Sequence, residues 1–527
     1  MKRKIEAVPP FFYSSPNPHL NELINPSKPV KTINKPFFEK KTMGKSIFAH
    51  TSFNYQEILP LQGTKHLIDY YTRPGDVVLD PVCSSGMTGV AANELGRKAI
   101  LCDVNPAATY FAYNISTPIE ADPYTHAVNH VLKSLEPIHQ KLYQTTCRAC
   151  GSYAPIQYMI WSDQVICNYC KKELILWEAT RKIKVRTNKD EVKDLFYCNT
   201  CSSLLDEKKL KRKSRIPTYI CYECCQASAK QKTGKPNRSD LAQFRKLNRS
   251  SIPEHIWYPK NKFPEGMLDE EAINAGIVQA DQAYMPRTLV ALAYLWHHCS
   301  SIPDVKFRSK LLMTYASLHK GVTLFRVPLF WKDDTYGEKH RIPGVITERN
   351  VFLEFYREAK KIRWYFANCP DVQQNLRFTT QNASNLFQLK NASVDYILIN
   401  TELADRHNKS IMDFLMGSWL NYFMGMSKRA NLDQASNWDS DGFDNSVFNL
   451  LREMSRVLKD NGWITFIYRN KSVETWDGLN KALRLSGFEI QGTQVIDRKN
   501  ALLEKWISDI KAGQYLVLHC KKQALER

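Results

Sequence analysis

Apolar and polar positions follow different periods in different parts of the chain, and the changes of period divide it. From Thr64 a helical segment, "TKHLIDYYTRPG", leads into "DVVLDPVCSSGMTGVAANELGRKAILCDVNPAA". There a short apolar run, a small-residue turn, a helix-period stretch and a second apolar run ending in an acid predict a βαβ unit. A long helix, "YTHAVNHVLKSLEPIHQKLYQ", follows, and the register changes completely at Cys147. Helical period returns in "PRTLVALAYLWHHCSSI" and "VKFRSKLLMTYASLHK". Near Leu376 strands and helices alternate again: "LRFTTQ", "VDYILIN", the helix "VFNLLREMSRVLKDNG", "WITFIYR", the helix "VETWDGLNKALRLSG", and an antiparallel-looking pair, "FEIQGTQVI" and "QYLVLHC". The pattern predicts an α/β protein with a doubly wound, Rossmann-like sheet split by a large insertion.

Residues 1–50, rich in Pro, Lys and Asn, show neither period and read as an extended basic arm, lying on a partner or on nucleic acid, or else as a floppy or surface-packed terminus. The expected blocks are then 51–122 and 376–527 for the two parts of the sheet, 123–265 for a helix and a cysteine-rich, basic segment, and 266–375 for a helical insert.

Composition adds a compartment and a partner. At 527 residues, with 43% hydrophobic and 24% charged residues, the chain is long enough for two or three folded domains. No apolar run approaches the roughly 20 residues of a membrane span, and the start, "MKRKIEAVPPFF", lacks a signal-peptide core, which leads us to expect a cytoplasmic protein with no membrane contact. The formal charge is +20, and Lys141 to Lys262 hold 25 Lys/Arg against 11 Asp/Glu, a net of +14. A concentrated basic excess beside metal-type cysteines favours a polyanion, nucleic acid above all.

The cysteines come in pairs. Cys147 and Cys150 are followed, after 16 residues, by Cys167 and Cys170; Cys198 and Cys201 are followed, after 19, by Cys221 and either Cys224 or Cys225. Paired in that order they predict two tandem four-cysteine zinc ribbons, closed by thiolates and therefore structural. Arg148, Lys171, Lys172 and the run from Lys208 to Arg215, with Lys208, Lys209, Lys211, Arg212, Lys213 and Arg215, are candidates for phosphate contacts. "WHHC" at Trp296–Cys299 is placed in a helical core pattern and not assigned to a metal.

In "VVLDPVCSSGMTG" the first strand ends at Asp80, and small residues, Ser84 and Gly86 among them, let backbone approach a ligand at a helix amino end. Asp103 ends the next strand, where a carboxylate can accept both hydroxyls of a ribose. With these residues the chain resembles the S-adenosylmethionine-dependent DNA amino-methyltransferases that act on adenine N6 or cytosine N4. The resemblance also runs through "IWYPKNKFPEG", "MPRTLVALAYL", "SVDYILIN" and "REMSRVLKDNGWITFIYRNKSVETWDGL", and the chain looks closest to a subgroup carrying zinc ribbons. It implies cofactor binding by Asp80, Ser84, Gly86 and Asp103. The loop departs from the family at Val82, where Phe is usual, at Ser84, a glycine in the family, and at Met87, a threonine.

In that family the strand resembling "DYILI" delivers Asp-Pro-Pro-Tyr or Asp-Pro-Pro-Phe, which binds the target amine and stacks on the flipped-out base. Here the four positions read Asn400, Thr401, Glu402 and Leu403. Asn400 still offers an acceptor, but the stiff prolines and the aromatic face are gone. Three readings follow: a catalytically impaired methyltransferase-like subunit that binds DNA beside an intact partner, in a modification or anti-phage defence system; an active N6-adenine or N4-cytosine methyltransferase with an atypical loop; and a zinc-ribbon adaptor for DNA or RNA.

Overall fold

The structure, a computed structural model, describes residues 15–38, 60–186, 192–205, 210–224, 231–325, 342–368, 375–399, 411–424, 443–469, 473–496, 502–504 and 515–523. Its contacts form two compact units. Met1–Ala121, Lys361–Lys409 and Trp419–Arg527 make unit 1; Asp122–Lys360 and Ser410–Ser418 make unit 2.

The strands are β1 (Val77–Asp80), β2 (Lys98–Asp103), β3 (Gln144–Thr146), β4 (Tyr153–Ile166), β5 (Glu173–Ile175), β6 (Thr180–Arg186), β7 (Val192–Tyr197), β8 (Leu204–Leu205), β9 (Lys211–Glu223), β10 (Gln231–Gly234), β11 (Val345–Arg349), β12 (Leu376–Thr380), β13 (Val394–Ile399), β14 (Leu458–Arg469), β15 (Phe488–Ile496), β16 (Leu502–Glu504) and β17 (Tyr515–Lys522). The helices used below are α1 (Leu61–Tyr71), α2 (Met87–Glu94), α3 (Pro106–Ser116), α4 (Ala121–Ser134), α5 (Glu136–Tyr143), α6 (Arg238–Lys246), α7 (Glu270–Asn274) and α8 (Pro286–Ser300).

Unit 1 is built on an eight-stranded sheet in the order β12-β2-β1-β13-β14-β17-β15-β16. The pairings from β12 to β14 are parallel, and β17 runs antiparallel to both β14 and β15. Every residue of β1 and of β13 is buried, which is why these central parallel strands read as largely apolar runs without a polar alternation. The chain works outward from β1 through β2 to β12 in one direction and from β13 to β14 in the other. The topological switch point, where ligands of such sheets bind, therefore lies at the carboxyl ends of β1 and β13.

One charge interrupts the apolar run of β13. Asp395 is buried, accepts the backbone N–H of Val77 at 2.8 Å, and pairs with the ammonium of Lys459 at 2.7 Å. Burial pushes its carboxyl pKa up, and Lys459 opposes the shift. Lys459 also donates to the carbonyls of Asn25 and Lys28. The acid of "SVDYI" thus fastens β1, β14 and the amino-terminal segment together, at the end of the strand away from the ligand crevice.

That segment departs from the expected surface arm. Leu20, Leu23 and Phe37 are buried, the first two within the core cluster beneath the sheet. Asn17 donates its amide to the Phe378 carbonyl at 2.9 Å, and Lys31 donates to the carbonyls of Asp69, Tyr70 and Thr72 at the end of α1. Residues 15–38 form no strand and one short 3-10 helix, Leu20–Leu23, and their few apolar side chains complete unit 1.

Unit 2 centres on the long antiparallel pair β4–β9, in a sheet ordered β10-β9-β4-β11 with β3 and β5 flanking β4; β6, β7 and β8 form a second, three-stranded sheet. In the chain β11 follows the helical insert, yet it pairs with β4, Ile346 opposite Trp161 and Glu348 opposite Met159. The cysteine-rich segment and the helical insert therefore share one sheet and one compact unit.

Candidate metal centres and switch-point crevice

The β1–α2 loop is tied down by its own residues. Asp80 accepts the Val82 N–H at 3.1 Å and the Thr88 hydroxyl at 2.5 Å, holding the end of β1 to the first turn of α2. Asp103, at the end of β2, accepts the Ser84 N–H at 3.2 Å on one oxygen and the Asn105 N–H at 2.9 Å on the other. Ser84 and Gly86 both take left-handed backbone, φ +41° and +82°. At Gly86 the reason is packing: a Cβ there would lie 2.6 Å from Cα of Ala112 in α3. Cys83 is buried, as a packing thiol would be.

Of the four residues proposed for the cofactor, the structure joins Ser84 directly to Asp103, whereas Asp80 and Gly86 shape the loop and the start of α2. Asp103 ends the strand next to β1, the position where a carboxylate could meet a ribose. A ribose diol there would share a carboxylate that already takes two backbone N–H groups. β13 ends at Ile399, in register beside β1. Asn400, Thr401, Glu402 and Leu403 lie outside the described residues.

In unit 2 three turns repeat one hydrogen-bonding pattern. The N–H of Cys147, Cys167 and Cys198 reaches the carbonyl five residues on, in Ser152, Lys172 and Ser203. The N–H of Gly151, Lys171 and Ser202 returns to the carbonyl of the first cysteine. These three residues all have positive φ, +71°, +60° and +56°, a conformation that disfavours side chains. Each turn therefore aims its two thiols at one point.

Those thiols form two groups, Cys167, Cys170, Cys198 and Cys201 in one and Cys147, Cys150 and Cys224 in the other, with all sulfurs of a group within 4.8 Å of one another. Sulfur separations are 3.7 Å for Cys167–Cys201 and for Cys170–Cys198, and 3.6 Å for Cys147–Cys224. Tetrahedral zinc with Zn–S bonds of about 2.3 Å places its sulfurs about 3.8 Å apart. Both groups can hold such an ion. In the four-thiol group, hydrogen bonds from the Ser203 hydroxyl and backbone hold the Cys201 thiol down to about 6, readying it as a thiolate ligand.

This grouping overturns the tandem pairing expected from spacing, in which Cys147 and Cys150 join Cys167 and Cys170. The 14-residue strand β4 runs between those two pairs. At roughly 3.3 Å per residue it separates them by roughly 40 Å or more. β9 returns alongside, from Lys211 opposite Ile166 to Tyr222 opposite Ile156, and so brings Cys224 back toward the first turn. The two groups are nested. Cys221 belongs to neither; it is buried in β9 opposite Tyr158, with burial raising its thiol pKa and a hydrogen bond to Tyr158 opposing the rise. Cys225, the alternative ligand, lies outside the described residues. His297 and His298 of "WHHC" join no metal-type group among the described residues.

The basic run fares differently from a free phosphate track. Lys208 and Lys209 lie outside the described residues, and Lys211 opens β9. Arg215 grips the carboxylate of Asp163 with two bonds, 2.7 and 3.2 Å, and Arg212 reaches the same carboxylate at 3.1 Å. Residues three apart on a strand face opposite ways, but a register shift between Gln164 and Val165 lets both arginines meet one acid. Lys213 pairs with Glu173. Nothing local in the sequence marks Asp163 as their partner, 52 residues from Arg215.

Compared with known families, residues 22–114 match the N6/N4 DNA methylase family, a span holding the end of the amino-terminal segment, α1, β1, the Asp80 loop, β2 and most of α3. No curated protein matches the chain. Among solved structures, that of an S-adenosylmethionine-dependent methyltransferase from Methanosarcina mazei is similar at 14% identity, covering 32% of this chain and 78% of that one, with a TM-score of 0.16. Over the stretch that builds the first half of the switch-point crevice, the chain is DNA-methyltransferase-like.

Proposed function

We propose that the protein is a DNA-binding, methyltransferase-like subunit that has lost most or all methyl-transfer activity and works beside an intact partner in a modification or defence complex. The observation that carries the reading is the sequence directly after β13. In the four positions after Ile399, where the resemblance implies Asp-Pro-Pro-aromatic, the sequence reads Asn400, Thr401, Glu402 and Leu403. Without the prolines the loop loses the stiffness that fixes an acceptor carbonyl, and placement to a fraction of an ångström decides such chemistry. Without the aromatic it loses base stacking of roughly 1–3 kcal/mol.

S-adenosylmethionine, where it binds, would supply the methyl group, with Asp103 on its ribose and the Ser84 loop against its methionine end. The bonds from Ser84 and Asn105 to Asp103 support weak binding. Each cysteine group would hold one structural zinc, giving the basic segment a fixed shape for a nucleic acid.

The deciding experiment is a radiolabelled methyl-transfer assay on genomic DNA, with the purified chain alone and with the product of a neighbouring gene that has an intact motif. We expect transfer only with the partner. Methylation by the isolated chain, abolished by Asn400→Ala, would establish the active-enzyme reading, which the surviving acceptor at Asn400 favours. Tighter binding to RNA than to duplex DNA across a salt series would establish the adaptor.

A further inference from the structure

Unit 2 contains a cavity of about 750 Å³ lined by none of the residues of the switch-point crevice. Its apolar lining includes Pro286 and Leu289 of α8 and Leu324, and its charged lining comes from β9, from Asp163 of β4 and from Arg249 and Asp281. The volume falls in the usual range of sites for small organic ligands, about 300–1,000 Å³.

Two features at its wall ask for opposite groups. Arg212 and Arg215 share one carboxylate, Asp163, so two fixed guanidinium charges face a single negative one. Arg215 uses Nε and Nη2 on Asp163 and the Pro343 carbonyl, and its Nη1 makes no hydrogen bond among the described residues. Asp163 lines the cavity beside both arginines, so this wall keeps one net positive charge on which an anion can sit. Asp281 is the converse. It is 3% exposed, and Arg249 Nε meets its Oδ2 at 2.8 Å. Its Oδ1 is buried and accepts no hydrogen bond among the described residues. A buried acceptor left unsatisfied is unfavourable, so the position suits an N–H donor.

We propose that this cavity takes one unstacked nucleotide of a nucleic-acid strand, with its phosphate against Arg215 and Arg212, its ring on the apolar lining and its exocyclic amino group donating to Asp281 Oδ1. The proposal rests on the DNA-binding reading above. A ring-bearing ligand with an anion at one end and an N–H donor at the other uses all three kinds of wall. The net charge of +14 over Lys141 to Lys262, which includes Arg212, Arg215 and Arg249, selects a polyanion over a free amino acid. A base enters such a cavity only when it is out of the stack.

The test uses the full-length, metal-loaded chain in calorimetric titrations with deoxyadenosine monophosphate and with the purine deoxynucleotide that lacks the amino group. Wild type should bind the amino-bearing nucleotide at least tenfold more tightly, and Asp281→Ala should erase that preference. Arg215→Gln should weaken both ligands about equally. Unchanged melting and zinc content show that each variant is folded, and the ligand pair tests the wild type without any substitution. Equal affinity for the two nucleotides in wild type, an undiminished preference in Asp281→Ala, or tighter binding of free glutamate would each overturn the proposal. If the chain binds duplex and single-stranded DNA yet shows no amino preference, the cavity assignment alone fails; if it binds no nucleic acid, the DNA-binding reading fails with it.

Discussion

Arg287 of α8 and Glu348 of β11 form a buried, two-pronged ion pair, Nε to Oε1 at 3.1 Å and Nη2 to Oε2 at 2.5 Å. The guanidinium also lies over the rings of Tyr143 and Phe244, and Glu348 accepts the Trp161 indole N–H at 2.7 Å. One cation thereby joins α5, α6, α8, β4 and β11. Removing one partner of such a pair strands a buried charge. We expect Arg287→Ala to cost about 3–5 kcal/mol, and the double change Arg287→Met with Glu348→Leu to cost less than either single truncation. Denaturant unfolding of the four chains checks this. A double variant as unstable as the sum of the singles would mean that the stacking, not the charge, holds the helix.

The nested cysteine groups separate cleanly from tandem ribbons by metal stoichiometry. Changing Cys167 and Cys198 together to serine should remove one zinc of two, because both serve the same ion. Changing Cys147 and Cys167 together should remove both. Tandem ribbons would give the reverse, and metal analysis of the two double variants reads the difference directly.

The parts of this arrangement that were legible in the sequence are local. β1, β2 and β13 are short apolar runs, and Asp80 and Asp103 end theirs, so the crevice could be placed from pattern alone. The cysteine turns were equally plain, since each is set by four adjacent residues. Their grouping was not, because spacing counts residues and does not show that those between Cys150 and Cys167 lie extended. Long-range charge pairing was hidden for a similar reason: Arg212 and Arg215 read as a basic track until the fold supplies Asp163. Leu20, Leu23 and Ile24 keep helical spacing for only one turn between prolines, and Phe37 stands apart from any period, so the burial of Leu20, Leu23 and Phe37 was not announced.

Two buried histidines make stability depend on pH. His519 in unit 1 receives the Tyr71 hydroxyl at Nδ1 and faces the Gln494 amide oxygen, an acceptor, at Nε2, each at 3.0 Å, so it is neutral in the fold. Burial lowers its pKa to about 3, and does the same to His319 in unit 2. In the unfolded chain both titrate near 6.5. Between about pH 6.5 and 3 the unfolded state binds more protons. Stability contributed by the neutral forms is therefore full above 6.5 and falls with pH, by about 1.4 kcal/mol per pH unit for each histidine once well below 6.5. Urea unfolding between pH 7 and 5 should show the slope, and His519→Gln should remove one proton's share of it. An unchanged slope in that variant would place the proton uptake elsewhere.

Gly86 and Gly96 offer a matched pair for testing why the crevice loop needs glycine. Both are left-handed, φ +82° and +69°, so alanine at either carries a backbone penalty of about 1–2 kcal/mol. Only at Gly86 does the new Cβ strike backbone, 2.6 Å from Cα of Ala112; at Gly96 nothing lies within 4 Å. Separating α2 from α3 to make room should add about 1–3 kcal/mol. It should also shift Ser84, whose N–H is bound to Asp103, and so weaken binding of S-adenosylmethionine by whatever affinity the wild type retains. Gly96→Ala should lose only the backbone share and leave cofactor affinity unchanged. Equal destabilisation of the two variants in urea would show that backbone conformation alone, without the packing of α2 on α3, sets the glycine requirement.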